Sequence, residues 1–271
     1  MPRRRITITT IVVVVCVLVF LGSGFLLFLE LREYRQSKET YEELSNFVAP
    51  KQEPPKEPTT ETPTPSYQME SAPPTVTEKR TALMDFELLL ERAPDAVAWL
   101  MQEETAINYP VVQGEDNDYY LHHLYDGTVN GAGCLFVDYQ NSPDFSDQNS
   151  IIYGHNMQDG SMFASLKNYR EQEYYDEHPI MLLIIPEQAF FVEIFAAFTA
   201  VPTEHGTDSS PWLTDWTEDA AYAEWLEEML KRSVIESDVS PEAGDKVLTL
   251  STCAPGSSNR FIVMGRLIEY E

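Results

Sequence analysis

The sequence predicts a mainly β domain, closed or half-closed into a barrel, with peripheral helices and one N-terminal transmembrane helix. Three observations lead there. Short β-branched and aromatic runs, separated by turn residues, recur from Ile107 to the C-terminus. One clear amphipathic helix, 217–232, interrupts them. An apolar run from Ile6 to Leu29 carries no charge. Many strands with few helices suit a β domain whose sheet closes on itself.

The apolar run exceeds the roughly 20 residues needed to cross a bilayer. A cleaved signal peptide is the competing reading, but its apolar core would be about 7–15 residues long and end at a small-x-small site. Here Gly22-Ser23-Gly24 is internal and nothing like Ala-x-Ala closes the run. Residues 6–29 therefore read as an uncleaved anchor. Arg3-Arg4-Arg5 precede it and mixed charges follow (Glu30, Arg32, Glu33, Arg35), which puts residues 1–5 in the cytoplasm and Glu30 onward outside the cell. The helix is expected to continue through Phe47. From 49 to 77 the chain is rich in Pro, Thr, Glu and Ser, too poor in large apolar residues to offset its ordering entropy. It reads as a disordered tether that holds a domain, 78–271, away from the bilayer.

Within that domain, Leu83, Phe86, Leu89 and Leu90 recur at helical spacing, predicting a helix over Lys79–Arg92. Pro94-Asp95 suits the first turn of a second short helix through Val97, Trp99 and Leu100. Strands follow at Ile107–Val112, Gly133–Asp138 and Ser150–Gly154, the last ending at His155. Met181–Ile185 and Phe190–Thr199 form a hairpin around Pro186-Glu187-Gln188. Thr217-Glu218-Asp219 offers a cap and an acidic first turn for the long helix, whose buried face is Tyr222, Trp225, Leu226, Met229 and Leu230. Lys246–Ser251 and Arg260–Ile268 close the domain.

A formal net charge of −26 over 271 residues, with no cluster of cations in the domain for phosphate contacts, argues against nucleic acid as a partner. The three cysteines, Cys16, Cys134 and Cys253, have no metal-knuckle spacing. A Cys134–Cys253 disulfide is conceivable on count alone. His122-His123 lack a second ligand pair, Gly131-Ala132-Gly133 lacks the third glycine of a dinucleotide motif, and His178 and His205 have no identified partner. No cofactor or metal is predicted.

Thiol chemistry needs a nucleophilic sulfur, a proton carrier and a group that holds the oxyanion. Cys253 ends one strand, His155 ends another and Arg260 opens the last, so the three can converge at one barrel mouth. Residue type alone leaves a structural reading open, since a lone cysteine is commonly a small buried hydrophobe.

Longer strings carry more information. Tyr153-Gly154-His155-Asn156-Met157 with Gly160-Ser161-Met162-Phe163, and Thr249-Leu250-Ser251-Thr252-Cys253 with Arg260-Phe261, resemble the sortases, cysteine transpeptidases of Gram-positive cell surfaces. Tyr109-Pro110-Val111-Val112-Gln113, Asp116-Asn117-Asp118-Tyr119-Tyr120-Leu121 and Leu135-Phe136-Val137-Asp138-Tyr139 extend the resemblance to class B, in order from about Leu83 to the C-terminus. It implies a sortase-like closed barrel with two N-terminal helices and a long helix before the cysteine strand. It also implies Cys253 as nucleophile, His155 as proton carrier and Arg260 as oxyanion holder, with Tyr153, Ser251 and Thr252 either lining the peptide groove or packing. The implied partners are proteins with an Asn-Pro-x-Thr-like sorting signal and an accepting amine of peptidoglycan or of a pilin. The Cys253–Arg260 loop is short for class B. Cys134 stands where the family more often has a small hydroxylated residue, and reads as a buried thiol. A pilin-polymerising sortase, a cell-wall cysteine hydrolase and a tethered surface-binding module remain the alternatives.

Overall fold

The computed structural model describes residues 8–48, 84–253 and 258–270; the Cys253 side chain lies outside the described residues. α1 runs unbroken over Ile8–Val48, and α2 over Phe86–Arg92. Asp85 caps α2 by accepting from the Leu88 N–H at 3.1 Å. The barrel strands are β1 (Ala96–Met101), β2 (Asn108–Val112), β3 (Leu135–Val137), β4 (Asn149–Tyr153), β5 (Ile180–Ile184), β6 (Ala189–Ala200), β7 (Val247–Cys253) and β8 (Arg260–Glu269). Two further helices, α3 (Gln172–Glu177) and α4 (Asp219–Arg232), lie between strands.

The strands close in the order β1-β2-β3-β4-β7-β8-β6-β5, with β5 returning to β1. β2–β3 and β4–β7 are parallel pairs, and the remaining pairs are antiparallel. The predicted hairpin is the β5–β6 pair, closed by Ile185 and Gln188 backbone bonds of 2.8 and 3.3 Å.

One expected element is corrected. The segment after Pro94 is strand β1, not a second helix. It pairs on both sides, with β2 and β5, so backbone groups that a helix would satisfy internally are satisfied by neighbours instead. Its Ala98, Trp99 and Leu100 are fully enclosed, and Trp99 Nε1 donates to Asn108 Oδ1 at 2.7 Å. The long helix is capped by Glu218 rather than Thr217, and no side-chain bond closes that cap.

The barrel interior is filled by residues such as Phe136, Leu250, Val263 and Leu183. A second apolar cluster lies where α4 covers β6–β8, with Tyr222, Trp225, Leu226 and Met229 against Phe195, Phe198, Trp212 and Ile262. Four of the five residues predicted for the helix face are thus buried, and Leu230 packs at the margin.

The far half of α1 packs on the barrel. Ser37, Tyr41 and Leu44 are buried in one stripe at i, i+4 and i+7. Tyr41 donates its hydroxyl to the Gly133 carbonyl at 2.7 Å and meets Tyr109 edge-to-face at 5.1 Å. Gly133 has φ +59°, and a Cβ there would lie 2.5 Å from the Tyr120 carbonyl oxygen, so glycine is required under this contact. Tyr125 donates to the Thr40 carbonyl, Asn130 Nδ2 to the Glu33 carbonyl and Asn108 Nδ2 to Ser45 Oγ, at 3.1, 3.1 and 3.3 Å. The near half, from Val12 to Leu29, is exposed along its length, and its apolar composition and length suit a membrane span. The expected tether over 49–77 lies outside the described residues.

Candidate active site at the barrel rim

The parallel β4–β7 pair organises the site. Tyr153 stands opposite Ser251 in its register. His155 and Cys253 follow those two residues at the same offset, His155 two residues past the end of β4 and Cys253 as the last residue of β7, so both stand at one rim. Gly154 N donates to the Ser251 carbonyl at 3.2 Å, tying the two strand ends together just before these residues. In the antiparallel β7–β8 pair Cys253 stands opposite Arg260. Backbone register thus brings the three predicted residues to one edge. The loop between Cys253 and Arg260, residues 254–257, lies outside the described residues.

His155 is partly exposed, and its Nε2 lies 2.8 Å from the Leu121 carbonyl oxygen. Since a carbonyl only accepts, Nε2 carries the hydrogen in that contact, which leaves Nδ1 as the basic nitrogen of the neutral ring. Gly154 lets this turn pack closely: a Cβ there would stand 2.4 Å from Leu135 Cδ2 and 2.7 Å from Phe163 Cδ2. The His155 loop closes on itself through the Asn156–Met162 bridge and the Phe163 N–H to His155 carbonyl bond of 2.9 Å. That closure holds Met162 at φ +53°, unusual for a residue with a Cβ, and the Tyr109 hydroxyl accepts its N–H at 3.2 Å.

Arg260 is half-buried, with Nη1 donating to the Ser258 carbonyl at 2.9 Å. Its charge acts on Tyr153, which sits across the rim. Tyr153 donates to Asp138 Oδ2 at 2.9 Å, and burial followed by the Asp138 charge raises its phenol well above the ordinary range. In the sequence Asp138 stands out only as part of a string. Its Oδ2 also accepts from Asn117 Nδ2 at 2.9 Å and its Oδ1 from the Gln140 N–H at 3.0 Å, which fixes the carboxylate that holds Tyr153.

The other two predicted groove residues are enclosed. Ser251 and Thr252 are each 2% exposed. Ser251 Oγ accepts from Trp212 Nε1 at 3.2 Å, and Trp212 in turn stacks against His205 with centroids 4.0 Å apart. Burial, ahead of the opposing Asp138 and Arg260 charges, lowers the His205 pKa. Sequence reasoning leaves His205 without a partner; its stacking on Trp212 could be suspected only from aromatic content in the 205–216 segment.

Cys134 is free and buried beneath α1, so it forms no disulfide with Cys253. Burial pushes its thiol up to about 12, beyond the reach of the opposing Tyr41 hydrogen bond. It is the buried thiol that the sequence suggests. Among the described residues no cluster of His, Cys, Asp and Glu could hold a metal ion.

No protein-family model matches the sequence. The chain is 38% identical over 194 residues to sortase B of Listeria monocytogenes, covering 70% of this chain and 76% of that protein. It is 32% identical over 187 residues to sortase B of Staphylococcus aureus, covering 68% and 75%. The fold matches sortase B from Bacillus anthracis in complex with AAEK1 with a TM-score of 0.71 and 28% identity, over 89% of this chain and all of that one. A Staphylococcus aureus sortase B–substrate complex matches with a TM-score of 0.64 and 30% identity, over 69% and 85%. A sortase B complexed with triglycine matches with a TM-score of 0.64 and 30% identity, over 69% and 86%. The chain belongs to the sortase B family, the class B cysteine transpeptidases.

Proposed function

We propose that this sortase cleaves a C-terminal sorting signal at the rim formed by Cys253, His155 and Arg260, and transfers the acyl fragment on the N-terminal side of the cut to an amine at the cell surface. The observation that carries the assignment is the register: His155 and Cys253 occupy equivalent positions at the ends of adjacent parallel strands, and Arg260 stands opposite Cys253.

In this reading the Cys253 thiolate attacks the carbonyl carbon of the scissile peptide bond, and the oxyanion forms beside the Arg260 guanidinium. Collapse breaks the C–N bond. The leaving amine takes its proton from the His155 imidazolium, and an acyl-thioester remains. An incoming amine loses a proton to His155, attacks the thioester, and expels the Cys253 thiolate. Unperturbed thiol and imidazole groups, near 8.5 and 6.5, are mostly neutral together at pH 7. A nearby guanidinium favours the thiolate. Tyr153, held by Asp138, is the predicted groove residue with exposed surface and so the first candidate to touch the peptide.

The substrates follow from the family: a sorting-signal peptide of the Asn-Pro-x-Thr kind and an amine of peptidoglycan. The neighbouring structures with substrate and with triglycine support these two classes of ligand. We assign residues 1–5 to the cytoplasm, 6–29 to a single membrane span, 30–77 to the juxtamembrane segment and 78–271 to an extracellular catalytic domain. The long exposed apolar half of α1 and the basic residues before it support that topology.

The test is a panel of quenched sorting peptides with and without an added amine. Wild type should cleave an Asn-Pro-x-Thr peptide and give a ligated product when triglycine or diaminopimelate is present. Cys253→Ala should abolish both products. Turnover by that variant would overturn the assignment, and cleavage without ligation would make the protein a hydrolase.

A further inference from the structure

The membrane span and the catalytic barrel are joined by one continuous helix whose first bond to the barrel domain, at the Glu33 carbonyl, comes four residues past the last residue of the apolar run and whose first buried residue, Ser37, comes eight past it. From Leu29 to Glu33 the axial rise is about 6 Å. The headgroup layer on each side of a bilayer is about 5–8 Å thick. Glu33 is therefore at headgroup level, and its carbonyl accepts the Asn130 Nδ2 bond at 3.1 Å. Gly131 lies beside the Glu33 carboxylate. Next to them Val129 is 75% exposed, a large apolar side chain pointing away from the barrel core.

We propose that the barrel sits directly on the outer leaflet, with the 129–131 turn in contact with lipid headgroups, and that α1 from Glu33 to Phe47 is the clamp that fixes this pose. The inference rests on the assignment of 6–29 as a membrane span. The clamp has bonds along its length: Thr40 to Tyr125, Tyr41 to Gly133, Ser45 to Asn108, and Glu43 to Arg92 at 3.7 Å, with the Arg92 guanidinium over the Phe47 ring. The segment expected to be a tether follows this clamp in the chain, between Phe47, which packs against the core, and the buried Met84, so it does not set the distance to the membrane.

The pose has a consequence for the site. A groove of about 590 Å³ between α1 and the barrel is lined on one side by Ser37, Tyr41 and Asn46 and on the other by Asp159–Met162 of the His155 loop. Along α1 these residues stand roughly 12–26 Å beyond Leu29. The loop that carries His155 is thereby held at a fixed height above the lipid. Glu30 and Glu33 alternate with Arg32 and Arg35 on these turns of α1, so the charge there is balanced and the pose does not rest on attraction to charged lipid.

The experiment uses the full chain, as Cys16→Ala/Cys253→Ala, in phosphatidylcholine vesicles. A bimane probe at Val129→Cys is read against phosphatidylcholine bearing a nitroxide headgroup. Strong quenching is expected. Seven helix-forming residues inserted between Glu30 and Leu31 add two turns and lift the barrel by about 10 Å while leaving the clamp intact, and should cut quenching at least twofold. In the same vesicles Ser45→Cys/Asn108→Cys should be bridged by a short bismaleimide, whose reach exceeds the separation that the Ser45–Asn108 contact allows. An unquenched probe in vesicle-bound protein, quenching that the insertion leaves unchanged, or failure to cross-link would overturn the pose. Failure to float with the vesicles would overturn the membrane span and this inference with it. Cleavage of sorting peptides in detergent by the chain with native cysteines tests the enzymatic reading independently.

Discussion

Tyr153 gives its hydroxyl hydrogen to the Asp138 carboxylate at 2.9 Å, and the same carboxylate oxygen accepts from Asn117. Three separate segments meet at that oxygen, two residues before His155. Replacing Tyr153 with Phe should destabilise the fold by about 1.5–3 kcal/mol, the range for a hydrogen bond to a charged group. Burial and the Asp138 charge raise the Tyr153 phenol above its ordinary value of 10.0. In the unfolded chain the phenol ionises first, so its contribution is complete below about pH 10 and is lost as pH rises toward the folded value. Urea unfolding at pH 8 and pH 11 should show the wild type losing more stability than Tyr153→Phe; parallel losses would mean that Tyr153 does not carry the effect.

Gly154→Ala puts a methyl group into Leu135 and Phe163. Overpacking of this kind costs about 1–3 kcal/mol. The strain falls on the residue before His155, so turnover should drop more steeply than the melting temperature suggests. Comparing kcat with thermal stability checks this, and a variant of normal activity and lower stability would show that the turn does not position the histidine.

Ser251→Ala should leave the buried Trp212 N–H without its acceptor, at a cost of about 1–3 kcal/mol. Because the hydroxyl is enclosed, kcat/KM for a sorting peptide should stay within about twofold of wild type. A large rise in KM with unchanged stability would return Ser251 to the peptide groove.

With its pKa near 12, Cys134 holds almost no thiolate at pH 8. Iodoacetamide on the folded protein should modify Cys253 and spare Cys134. Mass mapping after digestion reads the two sites, and equal labelling would contradict the burial of Cys134.

Much of the barrel was legible because its strands are β-branched runs bounded by turn residues, as in Ser150-Ile151-Ile152-Tyr153 and Lys246-Val247-Leu248-Thr249-Leu250. β1 was not. Ala96, Ala98, Leu100 and Met101 are good helix formers behind a proline, and only pairing with β2 and β5 makes them a strand. Ser37, Tyr41 and Leu44 do have helical spacing. Yet Lys38, Glu39, Glu42 and Glu43 between them make that half of α1 read as a solvated extension. At the rim, residue identities pointed to Cys253, His155 and Arg260. The Asp138–Asn117–Tyr153 contacts required the fold, because nothing local links residues that far apart in the chain.

The parallel pairing of β4 with β7 has one more consequence. Parallel neighbours cannot be joined by a tight turn, so everything from the His155 loop through β5, β6 and α4 forms a single crossover connection. His155 begins that excursion and Cys253 follows its return. Within it the 201–218 stretch is bonded to both strands, by Asn149 Nδ2 to the Leu213 carbonyl at 2.6 Å and by Trp212 Nε1 to Ser251 Oγ at 3.2 Å, so the returning chain braces the two sheet ends against each other.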